Sequence, residues 1–233
     1  PSADPSLYRV VEVSESTVLR GRVSASVDGT GVAFETPPDP VCDARDSIPQ
    51  YPAGPLPGSV VWLEGVEQGL PVGVGHATVA ASQCELSPRV QLAALGSELT
   101  VTSGDGEQHP LRLIGWNERD GRFLDYGTIR TADQENPAGR RLRTPGLVHV
   151  RSEQHPCARA WIYVTDNPYV VITGPEGGFL IEGVPPRLDG DADEARKRPP
   201  RTLHIWHEAF GEVEEAVSPS NEGQVPFDVV FGG

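Results

Sequence analysis

The chain has 233 residues and a formal net charge of −14, from 19 Lys+Arg against 33 Asp+Glu. That excess of negative charge repels phosphate backbones and anionic lipid surfaces, so nucleic acid is not an expected partner. No run reaches the roughly 18 apolar residues of a membrane span, so a soluble chain is expected.

Gly 26 and Pro 23 together make about a fifth of the residues, which suits many short strands and turns better than helices. Short apolar or alternating runs recur along the chain: YRVVEV, TVLRGRVSA, SVVWLEG, ELTVTS and LRLIGW, then LVHVR, AWIYVT, YVVIT, GFLIEG, TLHIWHE and FDVVF. Between them lie turn signals such as SVDGTG, DNPY and GPEGG. This is the pattern of a β-sandwich. Residues 35–58 hold too many prolines for a central strand and are expected to form an extended loop. Residues 185–201, PPRLDGDADEARKRPPR, read as a charged insertion between two strands, with its polar body at 187–201.

The three cysteines, Cys42, Cys84 and Cys157, allow at most one internal disulfide and leave one thiol over. DGDAD, residues 189–193, copies the acidic start of a calcium loop, but Glu194 stands at the required glycine and Pro200 at the required terminal glutamate. HIWHE, residues 204–208, is not H-E-x-x-H, and on a strand His204 and His207 point to opposite faces. There is no G-x-S-x-G, P-loop or dinucleotide fingerprint, so no enzyme is expected.

The run AWIYVTDNPYVVITGPEGGFLIEGVPP, followed by TLHIWHEAFG, resembles the secreted bacterial cupredoxin-like proteins labelled methylamine utilisation or carboxypeptidase-regulatory-like proteins. Upstream, SVVWLEG, QCELSPRV and SGDGEQHP match further segments of that family. The resemblance covers roughly residues 17–210. It implies an all-β fold: a cupredoxin-like Greek-key sandwich to about residue 165, continued by transthyretin-like (carboxypeptidase-regulatory-like) strands to about 210. Residues 1–16 and 211–233 then read as extensions, with VPFDVVF able to add a strand to its own sheet or a neighbour's edge.

In copper-bearing members, one histidine of an H-N motif and a C-x-x-H-P-x-M segment hold the metal. Laid on this sequence, the histidines are His109 and His155, while Ser152 stands at the cysteine position and Ala158 at the methionine position. Serine gives no accessible thiolate-like donor, and the chain has no methionine to supply an axial thioether. The resemblance therefore implies a degenerate copper site and no cofactor.

The alternative is a copper- or zinc-binding or electron-transfer protein using His109 and His155. Its third ligand would come from Asp105, Glu107, Glu153 or Cys157. The resemblance also implies a Cys42–Cys84 disulfide, hence a periplasmic or extracellular setting. The expected role is a non-enzymatic interaction or structural module with protein partners in a multi-subunit assembly. A carbohydrate-binding module is a weaker alternative, since aromatics make up only 6% of the chain.

Overall fold

Alternation is plain in strands with one exposed face, broken in GFLIEGV by a register shift between Ile181 and Val184. In TVLRGRVSA, Leu19, Val23 and Ala25 are buried while Arg20 and Arg22 are exposed. In GFLIEGV, Phe179, Ile181 and Val184 turn inward. Side chains two residues apart share a sheet face, so one apolar row makes one buried face.

The computed structural model describes residues 8–30, 42, 49–117, 121–131, 138–185, 201–217 and 227–232. Along the chain come β1 (Arg9–Val10), β2 (Thr17–Ala25), β3 (Gly29–Thr30), β4 (Gln50–Tyr51), β5 (Gly54–Pro55), β6 (Val60–Glu64) and β7 (Gln68–Gly69). Next are β8 (Ala77–Ser82), β9 (Glu85–Ser87), β10 (Val90–Ala94), β11 (Glu98–Ser103), β12 (Pro110–Asn117), β13 (Arg122–Arg130), β14 (Ala138–Arg141), β15 (Gly146–Ser152) and β16 (Arg159–Thr165). The last are β17 (Val170–Ile172), β18 (Gly178–Val184), β19 (Arg201–His207), β20 (Gly211–Val217) and β21 (Phe227–Phe231). The fold is an all-β sandwich, with no helix among the described residues. The calcium-loop-like DGDAD and the rest of 186–200 lie outside those residues, as does most of the proline-rich stretch before Pro49.

The chain divides into two compact units. One comprises residues 30–50 and 73–166. Its sheets run β10-β16-β15-β12-β13 and β14-β11-β8-β9, with β10 parallel to β16 and β8 parallel to β11. The chain crosses between these sheets from β11 to β12, from β13 to β14 and from β14 to β15. Leu111, Leu113, Val148, Val150, Ile162 and Val164 belong to its core. The expected disulfide is present within this unit: Cys42 and Cys84 are bridged, with Cα atoms 5.6 Å apart.

The other unit comprises residues 1–29, 51–72 and 167–233. It holds the sheets β17-β6-β19-β20 and β18-β2-β21, with β5 also pairing β2 and β1 pairing β7. The chain thus builds one sandwich from three separated segments, a different partition from a single body over 17–210 with an extension at each end. The physical reason lies in the terminal residues. Val217, Val229 and Phe231 are buried, and β21 runs parallel to β2 with Val23 opposite Val229. Of the two pairings open to VPFDVVF, the strand takes its own sheet.

That pairing needs Gly21. A methyl group there would collide with the carbonyl oxygen of Phe227 and the ring of Phe179. Gly21→Ala is expected to cost roughly 1–3 kcal/mol by overpacking, seen as a lower denaturant midpoint; an unchanged midpoint would count against this packing. Replacing Cys42 and Cys84 together by serine releases a loop with a sequence separation of 42 residues. The expected loss is about 4 kcal/mol of unfolding free energy on the chain-entropy account, measured by denaturant titration without reductant.

Candidate functional site

β12 begins at Pro110 and β15 ends at Ser152, and the two strands pair antiparallel with Leu111 opposite Ser152. The loop carrying His109 and the turn carrying His155 therefore leave the same end of one sheet. Glu153 N–H donates to the Pro110 carbonyl at 2.9 Å, joining the two segments. The turn itself is closed by Ser152 N–H to the Ala158 carbonyl at 3.0 Å and by Ala158 N–H to the His155 carbonyl at 2.8 Å.

Ser152, Ala158 and Glu153 already have structural tasks. The Ser152 hydroxyl oxygen is buried and accepts the backbone N–H groups of His155 at 3.0 Å and Gln154 at 3.2 Å. Ala158 is fully buried and contributes to the unit's core. Cys157 is buried and outside any disulfide. Glu153 accepts the Thr128 hydroxyl at 3.1 Å.

His109 is buried, with its backbone N–H donating to the Thr131 hydroxyl at 2.8 Å and its Nε2 lying 2.9 Å from Asp105 Oδ1. A carboxylate only accepts, so Nε2 carries the proton in this pair, and in a neutral ring Nδ1 keeps the lone pair. Asp105 also accepts from Ser103 Oγ, Gln83 N–H and Glu107 N–H at 2.8–3.0 Å. The His109 contact first and the Glu107 amide second hold the Asp105 carboxyl well below the usual carboxylate range. Around His109 and His155 the third ligand expected from Asp105, Glu107, Glu153 or Cys157 does not complete a group of three. Among the described residues, the His/Cys/Asp/Glu group of three with ligand atoms within 4.8 Å of one another is His204, Glu212 and Glu214.

That second cluster was not anticipated from the sequence, and it sits in the other unit. As expected for a strand, His204 and His207 face opposite sides of β19. His204 lies opposite Trp62 of β6 and Glu214 of β20, and its ring stacks on the Trp62 indole at 5.0 Å. Its Nδ1 is 2.7 Å from Glu212 and its Nε2 is 3.0 Å from Glu64, with Glu214 at 3.8 Å. Burial acts to lower the pKa of this imidazole, but the Glu212 and Glu64 carboxylates outweigh it and raise it to about 9. At neutral pH the ring is an imidazolium donating from both nitrogens, lying flat on an indole face. The usable signal was the alternation of Glu212 and Glu214 next to a strand that carries a histidine.

His207 points into the packed side, with its ring against Tyr51 at 4.4 Å and Phe210 at 5.5 Å. Its Nδ1 accepts Ala209 N–H at 3.2 Å. Burial pushes its pKa down, against the opposing charge of Glu208 and the Pro57 backbone. Glu208 is itself buried and accepts the Tyr51 hydroxyl at 2.6 Å. The W-H-E segment is thus strand and turn packing.

No protein-family model and no curated protein matches the chain. Among solved structures, it is similar to the reduced Cu(I) form of a P52G mutant of amicyanin, at 13% identity, with 45% of this chain and 98% of that chain covered and a TM-score of 0.30. It is also similar to a purple cupredoxin from Nitrosopumilus maritimus, at 15% identity, 38% and 99% coverage and a TM-score of 0.29. A third is auracyanin from Roseiflexus castenholzii, at 11% identity, 40% and 99% coverage and a TM-score of 0.30.

The raised pKa of His204 fixes a pH window. Its charged contacts contribute fully below the unfolded value of 6.5 and are lost as pH rises through about 9. His204→Gln should therefore destabilise at pH 6 by on the order of 1 kcal/mol, a discounted figure because Glu64 and Glu214 are solvent-exposed. The gap should close by about pH 10. Denaturant midpoints of both proteins across that range test it, and a gap that widens with pH would refute the assignment.

Proposed function

We propose that the chain is a non-enzymatic, exported interaction or structural module, a subunit of a larger extracytoplasmic assembly. In this reading the unit formed by residues 30–50 and 73–166 is a cupredoxin-like sandwich whose type-1 copper site has been lost. The observation that supports the reading is the Ser152 hydroxyl, buried and turned to the backbone amides of Gln154 and His155, at the position that the family resemblance gives to the copper thiolate. A blue-copper plane needs two imidazoles and a thiolate, with a weak axial donor. The residues present do not fit that set: an occupied hydroxyl replaces the thiolate, and the fully buried Ala158 methyl replaces the thioether. The Cys42–Cys84 bridge supports export, since disulfides persist in oxidising compartments.

One observation favours a second reading, a copper- or zinc-binding protein using His109 and His155. Asp105 orients the His109 ring through Nε2, the kind of carboxylate support that metal-bound imidazoles commonly have.

Metal analysis of protein purified from its native source separates the two. The first reading expects colourless protein with substoichiometric copper and zinc. It also expects Ser152→Cys combined with Ala158→Met to gain the intense visible band of a thiolate–copper(II) bond. Stoichiometric copper with reversible one-electron chemistry in the unaltered protein would refute it. Stoichiometric zinc or copper lost in both His109→Ala and His155→Ala would establish the second. The native-source material is expected to co-purify with other subunits, and a lone monomer would count against the assembly role.

A further inference from the structure

The sheet β18-β2-β21, together with Val171 and Ile172 of β17, lines a concavity of about 920 Å³. Its cationic groups are Arg20 and Arg22, both exposed, in a chain of net charge −14. Neither has a hydrogen bond or ion pair among the described residues. Being two apart on one strand, they present their guanidinium groups from the same side, at a Cα spacing of roughly 6.6–6.8 Å.

The cross-strand neighbours grade the surface along β2. Arg20 lies opposite Leu180, which is 48% exposed. Arg22 lies between Gly178 on one side and Asp228 on the other. Ser24 lies opposite Val230, which is 52% exposed. A side chain added at Gly178 would meet nothing within 4 Å, so space is open beside Arg22 on the flank away from the Asp228 carboxylate.

We propose that this groove binds an extended acidic segment of a partner protein, with carboxylates at two alternate positions and an apolar residue at the third. An extended peptide repeats same-side side chains at the same spacing as β2 itself, so two carboxylates register on Arg20 and Arg22. Each guanidinium offers a planar fork to one carboxylate. The first carboxylate sits at Arg20 beside Leu180. The second reaches Arg22 over Gly178, since Asp228 repels it on the other flank. The apolar third residue meets Val230 beside Ser24. At 0.15 M salt the Debye length is about 8 Å, so the net negative charge of the whole chain is largely screened while these contacts are not. The inference rests on the interaction-module reading and gives its partner a chemistry.

The test uses the full chain and a labelled synthetic peptide carrying Glu-Thr-Glu-Thr-Val, read by fluorescence anisotropy at 0.15 M salt. Saturable binding is expected, weakened by about tenfold or more in Arg20→Ser and in Arg22→Ser. Gly178→Leu should block the groove to a similar degree without lowering the thermal midpoint. A peptide of the same composition with its two glutamates adjacent should bind at least about tenfold more weakly. Absence of binding, equal binding of the rearranged peptide, full retention in both arginine variants, or displacement by millimolar sulfate would each overturn the proposal. Should Gly178→Leu fail to fold, the exposed arginine variants still decide. Metal content is untouched by these measurements, so failure here is distinguishable from failure of the broader reading.

Discussion

A single buried hydroxyl organises the turn at one end of the unit formed by residues 30–50 and 73–166. Ser152 ends β15 and accepts the amides of Gln154 and His155, while its own N–H reaches the Ala158 carbonyl. Those bonds close the 152–158 turn with protein atoms. The turn in turn leans on β12 through Glu153, which places it beside the His109 loop. On our proposal, a scaffold once suited to a metal keeps its shape because hydrogen bonds satisfy the backbone groups there. The site is then closed by protein atoms, and what remains for function is surface.

Charge is distributed on that surface with local contrasts. Asp105 is held ionised by four donors around it, and His204 is held protonated by Glu64 and Glu212. The His204 cluster is a structural ion pair and the Asp105–His109 contact a structural hydrogen bond, and the shifted pKa of His204 and of Asp105 reports support for the fold. Arg20 and Arg22 differ, being exposed in an acidic chain, with Leu180 beside Arg20 and Gly178 and Asp228 on the two flanks of Arg22. A cationic pair of that kind costs little to keep in water and is available to an anionic partner.

Much of the fold was legible because strand alternation is local. TVLRGRVSA and GFLIEGV show their buried rows in the sequence, and the family resemblance picked out Cys42 and Cys84 as the bridged pair. The partition into units was less legible because it depends on pairings distant in sequence. That β21 lies against β2, with Val229 opposite Val23, follows from which buried rows fit together in space. The same holds for His204, whose partners Glu64 and Glu212 come from two different strands. Sequence reading had correctly separated His204 from His207 by strand parity, yet parity within one strand says nothing about which neighbours flank it. The positions of Ser152 and Ala158 were readable only through the resemblance, and their hydrogen bonds and burial only from coordinates.

The central claim is that the 152–158 turn owes its order to Ser152 and not to a bound ion. Amide hydrogen exchange of Gln154 and His155, followed with and without excess copper(II), tests it most directly. The account expects both amides to be protected in metal-free protein, the protection to be unchanged by copper(II), and Ser152→Ala to abolish it. Protection that is absent without metal and appears on adding copper(II) would contradict the account.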